Sequence, residues 1–116
     1  MSQTKLFEMP FSRTYPLYIE KAQRKGRSKD EVDQIIFWLC GYNKTTLALQ
    51  LEANTRLDAF FQNAPAFHPN ATQIKGLICG HRVEDIEDET MQKIRYLDKL
   101  IDELARGKSM EQILRK

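Results

Sequence analysis

The sequence predicts an all-α fold: a single compact domain, residues 1–116, of about six to seven short helices. These helices are expected to pack around a helix at 28–40 and a long C-terminal helix at 88–106. Two observations predict this fold. Apolar residues recur mostly at intervals of three and four along both segments, and nearly every junction between segments carries a helix cap or a glycine.

The segment 28–42 contains the best-defined helix. Ser28 is a favourable N-cap, and Glu31 three residues later completes a capping box. Gly41 follows at the position where a helix that ends near Cys40 favours a left-handed residue. The helix carries more large apolar side chains than one exposed face accommodates, so other segments must cover it. These side chains are Val32, Ile35, Ile36, Phe37, Trp38 and Leu39.

The N-terminal region is predicted to contain one arm and one helix. Residues 1–12 are expected to form a flexible arm, because Pro10 disfavours helical structure in the residue before it. A helix is predicted to begin at Thr14, because Pro16 then lies in the first turn, where its missing amide is not needed. Gly26 is expected to end this helix at a tight corner.

Shorter helices are predicted after the helix at 28–40. A helix is expected at about 43–54, although leucines at 47, 49 and 51 alternate as in a strand. The other residues of this segment favour a helix, and few of them are β-branched. A short helix is predicted to begin at Thr55, and Pro65 is expected to end it. A loop that contains two prolines is expected at 64–70.

The segment 70–86 combines weaker signals. A short helix capped by Asn70 is predicted to hold three apolar residues, although Gly76 weakens it. These residues are Ile74, Leu77 and Ile78. Residues 81–86 are expected to be extended.

The long helix at 88–106 has the clearest periodicity, with apolar residues that step by 3, 3, 4 and 3. The acidic run at 84–89 precedes it, where negative charge suits the positive end of the helix dipole. The same run could bind a divalent cation, but it lacks the spacing of a calcium loop. We interpret the apolar stripe as core, with a dimer seam as the alternative. Its members are Met91, Ile94, Leu97, Ile101 and Leu104.

Composition indicates a globular protein, with 41% hydrophobic and 29% charged residues. The sequence has no apolar run near 18 residues and no charged-then-apolar leader, so neither a membrane span nor a secretory signal is predicted. Two cysteines, Cys40 and Cys79, cannot form a disulfide framework. We therefore expect a cytoplasmic protein with two reduced thiols and no membrane contact.

Five cations surround the expected corner between the first two helices. We call these residues the basic corner: Lys21, Arg24, Lys25, Arg27 and Lys29. A helix end, a tight turn and a second helix are the layout of helix-turn-helix proteins, whose cations contact phosphates. The alternative is a solvated corner that stabilises a helix dipole. The acidic start of the second helix, Asp30-Glu31, favours this alternative.

Cysteine and histidine side chains suggest two further kinds of site. A zinc site would use thiolate and imidazole ligands, but the sequence has no CxxC motif, and 38 residues separate Cys40 from Cys79. A cysteine hydrolase would combine Cys79 with His81 or His68 and an acid such as Glu84. Both cysteines follow apolar runs, where a reduced thiol is more often buried. No metal ligand, cofactor or catalytic residue is therefore predicted.

Four stretches of the sequence carry a family resemblance. They are YPLYIEKAQRKGRSKDEVDQIIFWLCGY, APAFHPN, IKGLICGHRVEDIED and IRYLDKLIDELARGKSMEQIL. Over roughly residues 7–114 the chain resembles the bacterial family known as domain of unknown function 2200. The resemblance implies a bacterial, cytoplasmic protein, and it supplies no catalytic residue.

The function that we predict from these observations is that of a non-catalytic protein-interaction module. Its partner would be an unidentified protein or a second copy of the chain. The many aromatic residues, Trp38 among them, predict an exposed aromatic patch, which often marks a partner surface. The alternative is a nucleic-acid-associated protein that uses the basic corner, and an enzyme based on Cys79 ranks third.

Overall fold

The computed structural model describes residues 3–116, and its helical content confirms the predicted all-α class. The helices are α1 (Gln3–Glu8), α2 (Phe11–Arg24), α3 (Lys29–Cys40), α4 (Lys44–Glu52), α5 (Leu57–Gln62), α6 (Glu89–Ala105) and α7 (Met110–Ile113). Two 3₁₀ turns, Pro69–Gln73 and Val83–Asp85, flank a hairpin of β1 (Leu77–Ile78) and β2 (His81–Arg82). None of these helices has the length and apolar character needed to cross a bilayer.

Helix α3 forms as predicted, and its ends are fixed by the predicted caps. The Ser28 hydroxyl accepts from the Glu31 amide at 3.2 Å, and the Glu31 carboxylate accepts from the Ser28 amide at 3.0 Å. Gly41 ends the helix in the left-handed conformation, with φ of 84°. Ile35, Ile36 and Leu39 have no exposed surface, so α3 lies at the centre of the core.

Helix α6 also forms as predicted and provides the other half of the core. The Asp88 carboxylate accepts from the Met91 amide at 2.8 Å, so the acidic run that precedes this helix also supplies its N-cap. The apolar stripe of α6 is buried against α2, α3 and α5. Since the stripe is covered by the chain's own helices, its interpretation as core is confirmed and a dimer seam there is wrong. The buried residues are Met91, Ile94, Leu97, Leu100, Ile101 and Leu104.

The predicted flexible arm at 1–12 is wrong for its described part. Residues 3–8 are helical, and α2 begins at Phe11 rather than at Thr14. The Phe11 amide donates to the Thr55 carbonyl, and the Leu57 amide donates to the Met9 carbonyl, both at 2.8 Å. These two bonds and the buried ring of Phe11 tie the segment to α5. Residues 1–2 lie outside the described residues.

The segment 70–86 differs most from its prediction. Instead of a helix holding Ile74, Leu77 and Ile78, a 3₁₀ turn ends at Gln73 and the chain then becomes extended. Gly76 has φ of 115°, a conformation that a right-handed helix does not contain. The extended segment expected at 81–86 is a strand only at 81–82, because residues 83–85 form the second 3₁₀ turn.

The predicted loop at 64–70 packs against the end of α3. The Ala66 amide donates to the Cys40 carbonyl at 3.1 Å, and the His68 amide donates to the Leu39 carbonyl at 2.8 Å. The His68 ring also stacks on Trp38, with ring centroids 4.2 Å apart. The loop thus satisfies two carbonyls that the end of a helix leaves without partners.

The expected exposed aromatic patch is absent from the described part of the chain. The tyrosines are buried, and the rings of Phe37, Trp38 and Phe67 are partly covered by the core. The large apolar side chains that remain exposed are leucines: Leu17, Leu49 and Leu77. Aromatic side chains therefore supply packing here rather than a surface.

Candidate functional site

The cations of the basic corner are mostly engaged by carboxylates of the same chain. Arg24 pairs with Glu20 one turn earlier in α2. Lys21 reaches Asp102 of α6 at 3.3 Å, and Lys29 reaches Asp33 of α3 at 2.9 Å. These pairs cancel much of the positive potential that a phosphate backbone would require.

Arg27 has a structural role at this corner. Its guanidinium pairs with Glu31 at 2.7 Å and donates to the carbonyls of Leu104, at 3.2 Å, and of Lys108, at 2.7 Å. The Arg27 pair and the Ser28 amide lower the pKa of Glu31 to about 2. Arg27 therefore joins the start of α3 to the end of α6, because it binds one carbonyl in the last turn of α6 and one just beyond it.

Lys25 differs from the other four members of the basic corner. Its side chain is exposed, and no ion pair forms on it within the described residues. The corner thus offers one unpaired ammonium group, where tight phosphate binding uses several cations together. This geometry favours the solvated interpretation of the corner.

Replacing Arg27 by alanine is expected to lower the free energy of unfolding by about 2 kcal/mol, because charge-assisted hydrogen bonds to two carbonyls and a carboxylate are lost. Lys25→Ala is the matched control, and we expect a change within about 0.5 kcal/mol. Urea denaturation, monitored by circular dichroism, measures the free energy of unfolding of both variants. Equal stabilities of the two variants would contradict the structural role of Arg27.

The cysteines and histidines considered for zinc lie in different environments. Cys40 is buried at the end of α3, and burial raises the pKa of its thiol. Cys79 is exposed in the hairpin turn, whereas His68 stacks on Trp38. Among residues 3–116, no three cysteine, histidine or acidic side chains come together in a group that could hold a metal ion.

Three of the residues considered for a cysteine hydrolase, Cys79, His68 and Glu84, have other partners. The Cys79 sulfur accepts a hydrogen bond from Arg95 Nη1 at 3.3 Å. His68 Nδ1 accepts from the Asn70 amide at 3.0 Å, and the Glu84 carboxylate accepts from the Gly76 amide at 2.9 Å. Among the described residues, no hydrogen bond joins Cys79 to His81 or His68, whereas nucleophilic catalysis by cysteine requires a general base beside the thiol.

A cleft of about 590 Å³ lies between the hairpin and the first turns of α6. We call it the hairpin cleft. Its residues combine apolar side chains with two guanidinium groups, one imidazole and one carboxylate. They are Leu77, Ile78, Gly80, His81, Arg82, Asp85, Ile86, Met91 and Arg95.

The shape of the hairpin follows from its turn. Leu77 pairs with Arg82 and Ile78 with His81, so two residues, Cys79 and Gly80, connect the strands. Both turn residues have positive φ, 51° and 83°, as in the type I′ turn that matches the twist of a hairpin. Because the turn fixes the register, it also fixes which side chains border the hairpin cleft.

Three side chains from successive turns of α6 fasten the hairpin. Gln92 Nε2 donates to the Val83 carbonyl at 3.1 Å, and Lys99 Nζ donates to the Leu77 carbonyl at 3.2 Å. Arg95, between them on the same face of the helix, donates to Cys79. The hairpin is therefore held at both ends and at its turn by a rigid element.

Arg95 is itself positioned from the core. Its Nη1 donates to the Asp98 carboxylate at 2.8 Å, and the Tyr18 hydroxyl donates to the other oxygen of the same carboxylate. Burial raises the pKa of Tyr18 well above its usual value, and the charge of Asp98 raises it further, so Tyr18 stays a donor. In the described structure, Arg95 Nε and Nη2 make no hydrogen bond, which leaves donors available at the cleft.

The comparisons with known proteins identify the family of the chain and a structure with the same fold. A family model described as "Uncharacterized protein conserved in bacteria (DUF2200)" matches residues 5–115. The chain belongs to the DUF2200 family. A crystal structure titled as that of the uncharacterized protein SP1917 is similar, with 43% identity and a TM-score of 0.91. The alignment covers 98% of this chain and 93% of that chain. No curated protein matches.

The membership confirms the resemblance found in the sequence, but the sequence patterns of this DUF2200 chain did not predict the hairpin cleft. The available signal is Gly80, because the second position of a two-residue type I′ turn favours glycine. The isoleucines and leucine before it resemble a helix face, and this resemblance hid the turn. Gly76 is the second signal, because its positive φ separates the 3₁₀ turn from β1.

Proposed function

We propose that this bacterial protein is a non-catalytic interaction module that binds a partner protein at the hairpin cleft. The observation that carries the proposal is Leu77, whose side chain is 61% exposed beside a cleft with a largely apolar floor. Apolar surface that a folded chain leaves open beside charged residues is typical of protein-binding sites.

The attachment of the hairpin to α6 supports this proposal. A docking surface on a rigid element loses little conformational entropy on binding, which favours affinity. Gln92, Arg95 and Lys99 hold the hairpin in place before any partner arrives. The proposal also includes a cytoplasmic location, since both Cys40 and Cys79 are free thiols.

Site-specific photo-cross-linking tests the proposed surface. A photoreactive phenylalanine analogue replaces Leu77 in one strain and Leu49 in another, and cells are irradiated. Leu49 is the matched control because it is a leucine of similar exposure, 55%, in α4. We expect a discrete protein adduct from position 77 that is absent from position 49.

The adduct must also depend on the cleft. Arg82 is exposed, so Arg82→Glu is expected to preserve the fold and to abolish the adduct from position 77. The adducted protein, once identified and purified, is expected to bind the purified chain in the same Arg82-dependent way. Adducts that form equally from positions 77 and 49 would contradict the proposal.

Two other outcomes would identify other functions. An adduct at twice the mass of the chain would indicate self-association through the cleft. A nuclease-sensitive adduct would support the alternative function, nucleic-acid binding, for which Lys21→Glu/Lys25→Glu is the informative variant. Arg27 is unsuitable for that test, because its replacement is expected to destabilise the end of α6.

A further inference from the structure

We propose that a second cavity, between α3 and α4, binds a short apolar peptide of two or three residues by its two charged ends. The Asp30 carboxylate binds the amino terminus of the peptide, the Lys44 ammonium group binds its carboxyl terminus, and an apolar floor contacts its side chains. We call this site the helix cavity. It shares no residue with the hairpin cleft, so this inference does not rest on the proposed docking function.

The helix cavity is a groove with a volume of about 400 Å³. Its residues recur at 29–30, 33–34 and 37 on α3 and at 44, 47–48 and 51 on α4, and these spacings place each set on one face of its helix. The two sets extend about 12 Å along α3 and about 10 Å along α4. An extended chain advances at most about 3.6 Å per residue, so two or three residues fit this length.

The floor of the helix cavity is apolar. Leu47 is buried, whereas Phe37 and Leu51 are only partly buried against the core and border the cavity with their remaining surface. The small side chain of Ala48 borders it as well. Sites for small molecules typically combine such an apolar lining with a few polar groups, in volumes of about 300–1,000 Å³. The floor therefore favours a ligand with apolar side chains.

Four charged side chains border the helix cavity, and two of them pair with each other. Lys29 Nζ lies 2.9 Å from Asp33 Oδ2, and the Tyr15 hydroxyl donates to the other oxygen of the same carboxylate. The side chains of Asp30 and Lys44 are exposed, and neither makes an ion pair or a hydrogen bond with the described residues. The cavity thus has no net charge, but it presents one unengaged anion and one unengaged cation.

This balance of charges favours a dipolar ligand. An anion gains from Lys44 but is repelled by Asp30, and a cation meets the opposite pair of effects, whereas a ligand with both charges gains from each group. Lys44 also lies in the first turn of α4, where positive charge is unfavourable, so a bound carboxylate offsets that cost.

The placement of the two charges favours a peptide over a single amino acid. A free amino acid carries its ammonium and carboxylate groups on one carbon atom. Asp30 and Lys44 belong to different helices and form no ion pair with each other, so they do not converge on one point. A peptide of two or three residues carries the same two groups at its ends, with its side chains between them.

A titration monitored by two-dimensional amide NMR tests the inference on the full chain. The probes are dileucine with free ends, its N-acetylated form, its C-amidated form and the form with both ends blocked. Exposed ion pairs contribute modestly, so we expect each block to weaken binding about fourfold, with shifts concentrated at residues 29–51. Diglycine is expected to bind at least about tenfold more weakly than dileucine, because it lacks side chains that contact the floor.

Two protein variants assign each end of the peptide to its partner. Asp30→Asn is expected to remove the effect of acetylation and to keep the effect of amidation, and Lys44→Gln is expected to do the reverse. Glu52→Gln and Lys25→Gln remove exposed charges outside the cavity and are the matched controls, for which we expect the parent's pattern. The blocked peptides test the inference on the parent chain alone, whatever the stability of the variants.

Several outcomes would overturn the inference. Equal binding of free and doubly blocked dileucine would exclude recognition of the charged ends and would point to an internal segment of a partner protein. Leucine that binds as tightly as dileucine would exclude the proposed ligand length, and shifts outside the helix cavity, or no binding of any peptide, would exclude the site. None of these results affects the position-77 adduct, so the two proposals can fail separately.

Discussion

Replacing Gly41 by alanine is expected to lower the free energy of unfolding by about 3 kcal/mol or more. Two costs add at this position. Gly41 has φ of 84°, which costs an alanine about 1 kcal/mol. A Cβ atom would also lie 2.6 Å from the Ala66 nitrogen, so the loop at 64–70 must move and its hydrogen bonds to Leu39 and Cys40 must lengthen.

Gly26→Ala is the control that separates these two costs. Gly26 also has a positive φ, 76°, but no atom lies within 4 Å of its added Cβ. We expect a loss of about 1 kcal/mol for Gly26→Ala, from the backbone conformation alone. Urea denaturation measures both variants. Equal losses would show that the contact between Gly41 and Ala66 adds nothing, and that the loop is displaced at no cost.

The elements that the sequence predicted correctly are those whose causes are local. Ser28 and Glu31 form a capping box within one turn, and Asp88 caps α6 three residues before its partner amide. These interactions depend on short spacings along the chain, so a pattern reveals them. The apolar periodicity of α6 is equally local and gave its bounds within one residue.

The elements that the sequence did not predict depend on distant partners. The segment around Phe11 is helical and packed because Thr55 and Phe60 contact it, and neither is near it in sequence. The hairpin at 77–82 likewise depends on Lys99 and Gln92 of α6. The apolar character of residues 74–78 alone predicts a helix. Tertiary contacts override this weak local preference, so the folded chain forms a strand there instead.

The candidate site shows the same division. The sequence located all five cations of the basic corner, but it could not show that Lys21 pairs with Asp102 or that Arg27 binds carbonyls of α6. The residues of the hairpin cleft, Arg95 above all, had no distinguishing pattern in the sequence. Arg95 becomes distinctive only when Tyr18 and Asp98 are brought to it.

Arg115→Met is expected to lower the free energy of unfolding by about 3 kcal/mol, although Arg115 is the second-last residue. Its guanidinium forms two hydrogen bonds, of 2.6 and 2.8 Å, with the carboxylate of Glu103. Glu103 is only 2% exposed, and its other cation, Lys108, is 3.7 Å away. Loss of Arg115 therefore leaves a buried carboxylate without adequate compensation. Chemical denaturation at neutral pH measures the change.

Two further variants distinguish a buried ion pair from simple packing of the C-terminus. Lys116→Met removes an exposed neighbouring charge and is expected to change stability by less than about 0.5 kcal/mol. In Glu103→Met/Arg115→Met both charges are replaced by apolar side chains, so stability is expected to return to within about 1 kcal/mol of the parent. If the double variant is as unstable as Arg115→Met, the loss comes from displaced α7 rather than from the uncompensated charge. Recovery in the double variant would show that the chain needs Arg115 because the Glu103 carboxylate is buried. The attraction between the two charges would then add little to stability beyond offsetting that burial.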